Sequence, residues 1–435
     1  MQQFTVRGEN KMTSILTILL LILISYPILG SMSWVIGSVI YKVNYKSKHK
    51  NWDTDVTYKE PFISILVAAH NEEDVIEKTL DYLLQDLTYK SFEILVVDDG
   101  STDATLSILM RRAEKFDKLR IIHIEKNQGK AHALNIGLGF AKGKYVVTND
   151  ADTIPSTDAL NRYASYLKSD FANYIGAVTA NMDVQNRTKI ITKSQTVEFS
   201  SIVGIIKRTQ SAVMGGIYAY SGANTLYSME ALIDVGLFRQ DRATEDISVA
   251  WDHQINGWFS IFAPAITFFM QVPENLPDLY KQRKRWAKGG TEVWLTNGLK
   301  VARRPFKNIG LSIMFLDQTL SIIWSFFFFT SLIYFVTICF HFLIIDDWGS
   351  LFKTLTVSMI FCVFEFTAGL MQVLAALVID HDGDKIKYFL FSPLYLIFYW
   401  IMNALTIVTT FVPAVKTILG YGTGVWTSPK RKVIK

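Results

Sequence analysis

Three long, nearly uncharged apolar stretches dominate the last third of this chain, near Leu311–Ile345, Leu351–Ile379 and Tyr388–Val412. Each reaches the roughly 20 residues that a helix needs to cross a bilayer core. A fourth run, from Thr13 to Tyr41, carries no charge at all. A chain so built folds around a membrane, and the remainder has to form a domain that the membrane segments hold. Composition agrees: 50% of the residues are hydrophobic and 19% charged, against about 25% charged in soluble domains. The deficit falls almost wholly in the last third, and the high apolar content excludes disorder.

The first run competes with a signal peptide, whose apolar region is about 7–15 residues; this one is longer and reads as an uncleaved span. Lys42, Lys46, Lys48 and Lys50 come directly after it, whereas Arg7 and Lys11 precede it with Glu9 between them. The excess of cations on that side predicts that the domain beyond the run lies in the cytoplasm. Near Asp317 and Gln318, the start of the second run (Ile313, Met314, Leu316, Leu320) predicts an interfacial helix leading into a span. One plus three spans would put the basic tail Lys430-Arg431-Lys432 outside, so either one run re-enters without crossing or the tail is an exception. The expected division is an anchor over 1–50, a soluble domain over 51–300 and about three membrane helices over 301–435. The two cysteines, Cys339 and Cys362, both fall in apolar stretches and indicate neither a disulfide framework nor a metal cluster. A net charge of +5 implies no nucleic-acid surface and is accounted for by anionic lipid headgroups.

Between Pro61 and Asn149 short apolar runs alternate with amphipathic ones. Ile63–Val67, Glu93–Val97, Ile121–Ile124 and Tyr145–Val147 read as buried parallel strands. Ile76, Leu80, Leu83, Leu84 and Leu87 recur at helical spacing between the first two, and Leu106, Leu109, Met110, Ala113 and Phe116 between the next two. Repeated βαβ units predict a doubly wound α/β sheet, with ligands beyond the carboxyl ends of its strands. Polar residues cluster there: His70-Asn71-Glu72, Asp98-Asp99 and Asp150-Ala151-Asp152. Gly137, Gly139 and Gly143 lack the spacing of a dinucleotide fingerprint, and no Gly-Lys-Ser/Thr phosphate loop occurs, which argues against a dehydrogenase or a phosphate-loop ATPase.

Asp-x-Asp also occurs at Asp53/Asp55, Asp380/Asp382 and Asp382/Asp384, so position decides. Asp150 and Asp152 end a buried strand at the crevice edge, where two carboxylates suit Mg²⁺ or Mn²⁺ completing its shell with water and phosphate; a turn with Asp152 capping a helix is the alternative. Asp98-Asp99-Gly100-Ser101-Thr102-Asp103 reads as a capping turn that leaves Asp99 able to accept a uracil imide N–H. In Thr244-Glu245-Asp246 a charged first helical turn competes with Asp246 as a general base. Gln282-Arg283-Lys284-Arg285-Trp286 reads as an interfacial helix with Trp286 and Trp294 as headgroup anchors. Within it Arg285 suits a pyrophosphate, and Trp286 offers a flat face to a sugar.

These four motifs, in this order inside a membrane-flanked α/β domain, resemble the processive family 2 glycosyltransferases over about residues 60–300. The resemblance implies a GT-A fold, a nucleotide-sugar donor and a divalent cation. It assigns nucleotide-sugar binding to Asp98, Asp99, Lys130, Asp150, Asp152 and Arg285, and the metal to Asp150 and Asp152. Acceptor contacts go to Gln282, Trp286 and Glu245, and the catalytic base is Asp246. Within the family, Glu245–Trp251, Gln282 through Gly289-Gly290-Thr291-Glu292 and Trp426–Arg431 are most similar to bacterial poly-β-1,6-N-acetylglucosamine synthases.

The function so implied is an inverting, processive transfer of N-acetylglucosamine from UDP-N-acetylglucosamine into an exported polysaccharide. The enzyme would be a multi-pass protein of the cell membrane with its catalytic domain in the cytoplasm and a small accessory membrane subunit as partner. The alternatives are a hyaluronan-, chitin- or cellulose-type synthase, transfer of one sugar to a polyprenyl phosphate, and a transporter or sensor that merely binds nucleotide sugars.

Overall fold

The structure, a computed structural model, describes residues 25–44, 60–168 and 172–421. The opening of the first apolar run, the lysines at 46, 48 and 50 and the basic tail lie outside the described residues.

All four strands expected from the sequence form: β1 (Ile63–Ala69), β2 (Phe92–Asp99), β3 (Leu119–Ile124) and β4 (Tyr145–Asp150) pair in parallel in the order β3-β2-β1-β4. Side chains alternate across a strand, and both faces are covered. On one, Ile65, Val67, Ile94 and Val96 pack with Ile76, Leu80 and Leu83 of helix α2 (Ile76–Gln85) and Leu109 of α3 (Thr105–Ala113). On the other, Leu66, Leu95 and Val97 meet Ala133, Leu134 and Leu138 of α4 (Lys130–Phe140). Gly137 belongs to this packing, since a Cβ there would lie 3.0 Å from Val97 Cγ2.

Beyond β4 the sheet departs from the doubly wound pattern. Strands β5 (Ile154–Pro155), β6 (Ile175–Val184), β7 (Asn224–Ser228) and β8 (Phe259–Met270) complete an eight-stranded mixed sheet, β3-β2-β1-β4-β7-β6-β8-β5. β7 runs antiparallel to both β4 and β6. Short strand β5 comes directly after Asp152, before α5 (Ala159–Tyr166), so Asp152 caps no helix. Between β6 and β7 the chain makes a helical excursion: α6 (Ile190–Phe199), a π-helical segment Ser200–Ile206, one α-turn α7 (Lys207–Thr209) and a second π segment Gln210–Met214. Helices α8 (Met229–Asp234), α9 (Glu245–Asn256) and α10 (Leu276–Ala302) finish the α/β part. Gly257, at φ 97°, stops α9.

Three further helices are long and apolar enough to cross a membrane: α11 (Ile309–Ile344), α12 (Trp348–Ile379) and α13, whose helix proper is Ser392–Ile418. The interfacial break expected near Asp317 is absent. α11 runs unbroken for 36 residues, about 54 Å at 1.5 Å per residue. Asp317, one of the two polar residues that suggested a break, has a partner across helices, since Tyr26 of helix α1 (25–44) donates to its Oδ1 at 3.1 Å; nearby, Trp294 of α10 donates to Thr319 Oγ1 at 2.8 Å. Trp294 therefore joins two helices.

The α/β part and the three long apolar helices are joined by buried charge. In the linker from α12 to α13, Lys385 sits 2.9 Å from Asp183 of β6 and 2.8 Å from Asp380. Asp380 also accepts from Asn181 at 2.9 Å and from Ser200 at 2.8 Å, and Asp183 accepts from Arg187 as well. Buried ions are tolerated only when paired and hydrogen-bonded, so this cluster admits one arrangement of linker and sheet. On the far side α1 adds Tyr41, which donates to the carbonyl of Phe262 in β8 at 3.1 Å.

Candidate active site

The carboxyl ends of β1, β2 and β4 open on one cleft. Its nucleotide-side wall is made by two loops bonded to each other. Asn71, at φ 56°, receives Thr102 N–H on its side-chain oxygen at 2.8 Å and gives its own N–H to Ser101 Oγ at 3.0 Å, while Glu72 N–H reaches Thr105 Oγ1 at 2.8 Å. Asp99 closes the floor by accepting Gln128 N–H at 3.0 Å and Gly129 N–H at 2.8 Å, which holds the Asn127–Gly129 turn that starts α4. Gly129 takes φ 98° there, a conformation costly to any residue with a Cβ. Asp99, Asn127, Lys130, Asp150 and Ala151 line this cleft together with His70.

Adjacent residues of a strand face opposite ways, and Asp98 is turned from the cleft. It is fully buried, with its Oδ2 2.7 Å from His123 Nδ1 on β3, and lines neither cavity of the site. Asp152 is buried two residues past the end of β4, where Thr153 Oγ1 donates to it at 3.2 Å.

Lys130 and Asp150 also line a second cavity, of about 440 Å³, and so form a wall common to both. Glu245, Asp246, Gln282, Arg285 and Trp286 surround it. The expected catalytic, acceptor and donor residues thus converge, apart from Asp98 and Asp152. Lys130 is the hub. Its ammonium lies 2.6 Å from Asp150 Oδ1, 3.2 Å from Glu245 Oε1 and 3.3 Å from the carbonyl of Gly222. Burial alone would lower its pKa, but Asp150 and then Glu245 outweigh that and keep it charged.

Asp246 sits in the first turn of α9, whose own N–H groups favour an anion there. Its Oδ1 accepts Ile247 N–H at 2.9 Å and its Oδ2 accepts Gly222 N–H at 3.1 Å. Burial raises its pKa to about 6, the neighbouring Glu245 adds to this, and Lys130 and Arg285 pull the other way. A buried carboxyl poised near neutrality is fitted to remove a proton in a transition state. Thr244-Glu245-Asp246 is thus a charged first helical turn, and Asp246 in it has the burial and raised pKa that a general base needs.

Helix α10 delivers the other wall. Gln282, Arg285, Trp286 and Gly289 recur at positions i, i+3, i+4 and i+7, one face of a helix. The intervening Arg283 points elsewhere, 2.5 Å from buried Glu198 of α6, with its guanidinium 4.1 Å over the Trp286 ring. This pair fixes the tryptophan plane, and Arg283 gives no signal of that role in a basic pentapeptide. Lys281, by contrast, is exposed, as the interfacial reading expects, with Asp278 3.7 Å away.

Gly289 and Gly290 bring α10 against the catalytic turn. A Cβ at Gly289 would lie 2.7 Å from Thr244 Cγ2, and one at Gly290 would lie 2.6 Å from the Tyr218 hydroxyl. One turn on, Glu292 accepts Ala243 N–H at 2.8 Å and so holds the entry to that turn. Gly222 carries no signal in the sequence either. It bridges Lys130 and Asp246 through its backbone, and a Cβ there would crowd Glu245 Oε1 at 2.9 Å and Lys130 Nζ at 3.0 Å.

Residues 64–236 match the family model described as glycosyl transferase family 2. The chain is 34% identical over 424 residues to the poly-β-1,6-N-acetyl-D-glucosamine synthase of Staphylococcus epidermidis, covering 94% of this chain and 97% of that one. It is 35% identical over 415 residues, with the same coverage, to the synthase of that description from Staphylococcus aureus. This chain is a family 2 glycosyltransferase. In fold it is similar to a mannosyltransferase from Pyrobaculum calidifontis solved with GDP-mannose and Mn²⁺, at TM-score 0.55 and 19% identity over 91% of this chain and 99% of that one. The α/β part of this glycosyltransferase is accordingly a GT-A domain.

Substitutions at the base and at the helix behind it test this geometry. Asp246→Asn lowers kcat by at least about 10²-fold, the usual worth of a general base, while UDP affinity measured by calorimetry changes less than about twofold. In the wild type kcat rises with pH through about 6 as Asp246 ionises, and the Asn variant lacks that limb. Because the folded-state pKa is raised, the native protein binds more protons than the unfolded one between about 4 and 6, so this group's contribution to stability is lost as pH rises through 6. Asp246→Asn therefore unfolds at a higher temperature than the wild type at pH 7.5. Gly289→Ala displaces Thr244 and with it Asp246, and lowers kcat about tenfold or more with little change in the KM for donor. An equal loss in Gly298→Ala, remote from the turn, would contradict this.

Proposed function

We propose that this glycosyltransferase polymerises N-acetylglucosamine from UDP-N-acetylglucosamine into poly-β-1,6-N-acetylglucosamine. It works from the cytoplasmic face of a cell membrane that it crosses several times, its segments 1–50, 51–300 and 301–435 serving as anchor, catalytic domain and membrane region. The observation that carries the reading is that Lys130 and Asp150 line both the nucleotide cleft of Asp99 and the larger cavity that Asp246 also lines. A donor diphosphate at the Asp150 end puts its sugar carbon toward Asp246, and the larger cavity leaves room for a glycan end against Trp286. The curated relatives, matched over nearly their whole length, support the sugar and linkage. The helices α11, α12 and α13 support membrane insertion, and their lipid-facing sides leave surface for a small membrane partner.

In this proposal Asp99 orders the turn before α4 and faces the uracil, while Lys130 and Arg285 hold the diphosphate. Asp246 accepts the proton of the acceptor hydroxyl as that oxygen attacks the anomeric carbon and UDP leaves from the opposite side, inverting the configuration. Gln282 and Glu245 border the acceptor, and Trp286 stacks on its ring. Arg285 then offsets charge that develops on the leaving diphosphate. No group of three or more His, Cys, Asp or Glu side chains suited to a metal occurs among the described residues. Asp150 faces both cavities and suits a hard divalent cation that takes further ligands from phosphate and water, whereas buried Asp152 lines neither cavity and would have to turn toward the cleft to join it. Asp150 and Asp152 would hold that cation, Mg²⁺ or Mn²⁺, which when bound supplies Lewis-acid stabilisation of the departing diphosphate.

Purified protein in membranes, given labelled UDP-N-acetylglucosamine and Mg²⁺, is expected to release UDP and build a polymer that a β-1,6-specific hexosaminidase degrades. EDTA is expected to stop both. A single glycosylated lipid as the product would overturn the polymerase reading, and full activity in EDTA would remove the cation from Asp150 and Asp152.

A further inference from the structure

A buried cation in the acceptor cavity has no part in the mechanism above. Lys207 is the first residue of α7, the single α-turn set between two π-helical segments. Such segments are rare and frequent at functional sites, because the extra residue in the turn redirects a side chain. Here Lys207 lines the same cavity as Asp246, Gln282 and Trp286 and does not line the nucleotide cleft of Asp99 and Asn127. It is 8% exposed. Among the described residues no carboxylate lies within ion-pair distance of it, and its side-chain hydrogen bond is a long one, 3.5 Å, to Thr179 Oγ1. Lys130, in the same cavity, shows the contrast, with two carboxylates around it. Burial lowers the Lys207 amine to about 8 although Asp246 draws it upward. A desolvated ammonium without a partner is costly, and its cost is recovered when a ligand oxygen completes its shell.

We propose that Lys207 is an acceptor-recognition residue, donating a hydrogen bond to the acetamido carbonyl oxygen of the terminal sugar of the growing chain. This rests on the function proposed above. The acetamido oxygen is the strongest neutral acceptor that an N-acetylhexosamine carries. A de-N-acetylated terminal sugar would present an ammonium instead, and two cations would then meet in a buried cavity. Lys207 so placed selects an acetylated chain end and rejects a deacetylated one.

The test uses full-length enzyme in membranes with Mg²⁺, UDP-N-acetylglucosamine and two soluble β-1,6-linked oligosaccharides that differ only in the acetyl group of the non-reducing end. Wild type is expected to extend the acetylated acceptor with kcat/KM at least tenfold higher than the deacetylated one. Lys207→Met is expected to lose about tenfold on the acetylated acceptor, chiefly through acceptor KM, and to bring the two acceptors within about twofold of each other, with donor KM unchanged. Lys207→Gln, which keeps a neutral donor in the same volume, is expected to fall between and also covers the case in which the Met variant does not fold. Unchanged discrimination in the variants, or a shift in donor KM instead of acceptor KM, would overturn the assignment. A wild type that transfers no N-acetylglucosamine to either acceptor would overturn the proposed function itself, which separates the two failures.

Discussion

The site depends on three acidic side chains that are forced together in low dielectric around one ammonium. Asp150 arrives on the end of a parallel strand, Glu245 and Asp246 on the first turn of a helix almost a hundred residues later, and Lys130 lies between them. Like charges repel strongly away from water, and Lys130 sets a positive charge between Asp150 and Glu245. Asp246 is left with the raised pKa, and the backbone N–H groups of Gly222 and Ile247 fix its orientation without neutralising it. Stability is sacrificed at one carboxyl, and that carboxyl is the one proposed as the base.

Every other feature of the site serves to hold that carboxyl in position. Gly289 removes the side chain that would keep α10 off the Thr244 turn, Gly290 does the same against Tyr218, and Glu292 ties α10 to Ala243 before the turn. The same helix carries Gln282, Arg285 and Trp286, so the register of one helix sets both the acceptor wall and the base. Its lower part packs along α13 through Tyr399, which lies 5.9 Å from the guanidinium of Arg283. Through Glu198, Arg283 and the Lys385 cluster, the membrane helices and the catalytic sheet meet in buried polar contacts, and relative movement of the two would break ion pairs.

The parallel half of the sheet was legible in the chain because strands covered on both faces are nearly continuous in apolar residues, and β1, β2 and β4 obey that rule. The antiparallel half was not. β6 mixes Ala177 and Val178 with Thr179, Asn181 and Asp183, all buried, because those side chains meet Thr225, Asp380 and Lys385 far away in sequence. A local pattern cannot report partners that distant. The same holds for Asp317, whose charge suggested an interrupted helix and whose partner is Tyr26. Motif residues were legible as a set, and spacing told which face of α10 Gln282, Arg285 and Trp286 share. Adjacent Asp98 and Asp99 could not be separated until the strand's register with β3 showed Asp98 opposite His123. Lys207 and Gly222 lie in stretches with no motif, and only packing reveals them.

The central claim is that one nucleotide sugar bridges the two cavities, with its diphosphate at Asp150 and Arg285 and its anomeric carbon toward Asp246. A structure of the full-length enzyme in lipid nanodiscs with UDP-N-acetylglucosamine and Mg²⁺, using Asp246→Asn to prevent turnover, tests this most directly. The account predicts uracil beside Asp99, the cation between Asp150, Asp152 and the diphosphate, and the sugar ring facing residue 246 with Trp286 beyond it. A diphosphate bound away from Asp150, or a sugar turned from residue 246, would contradict it.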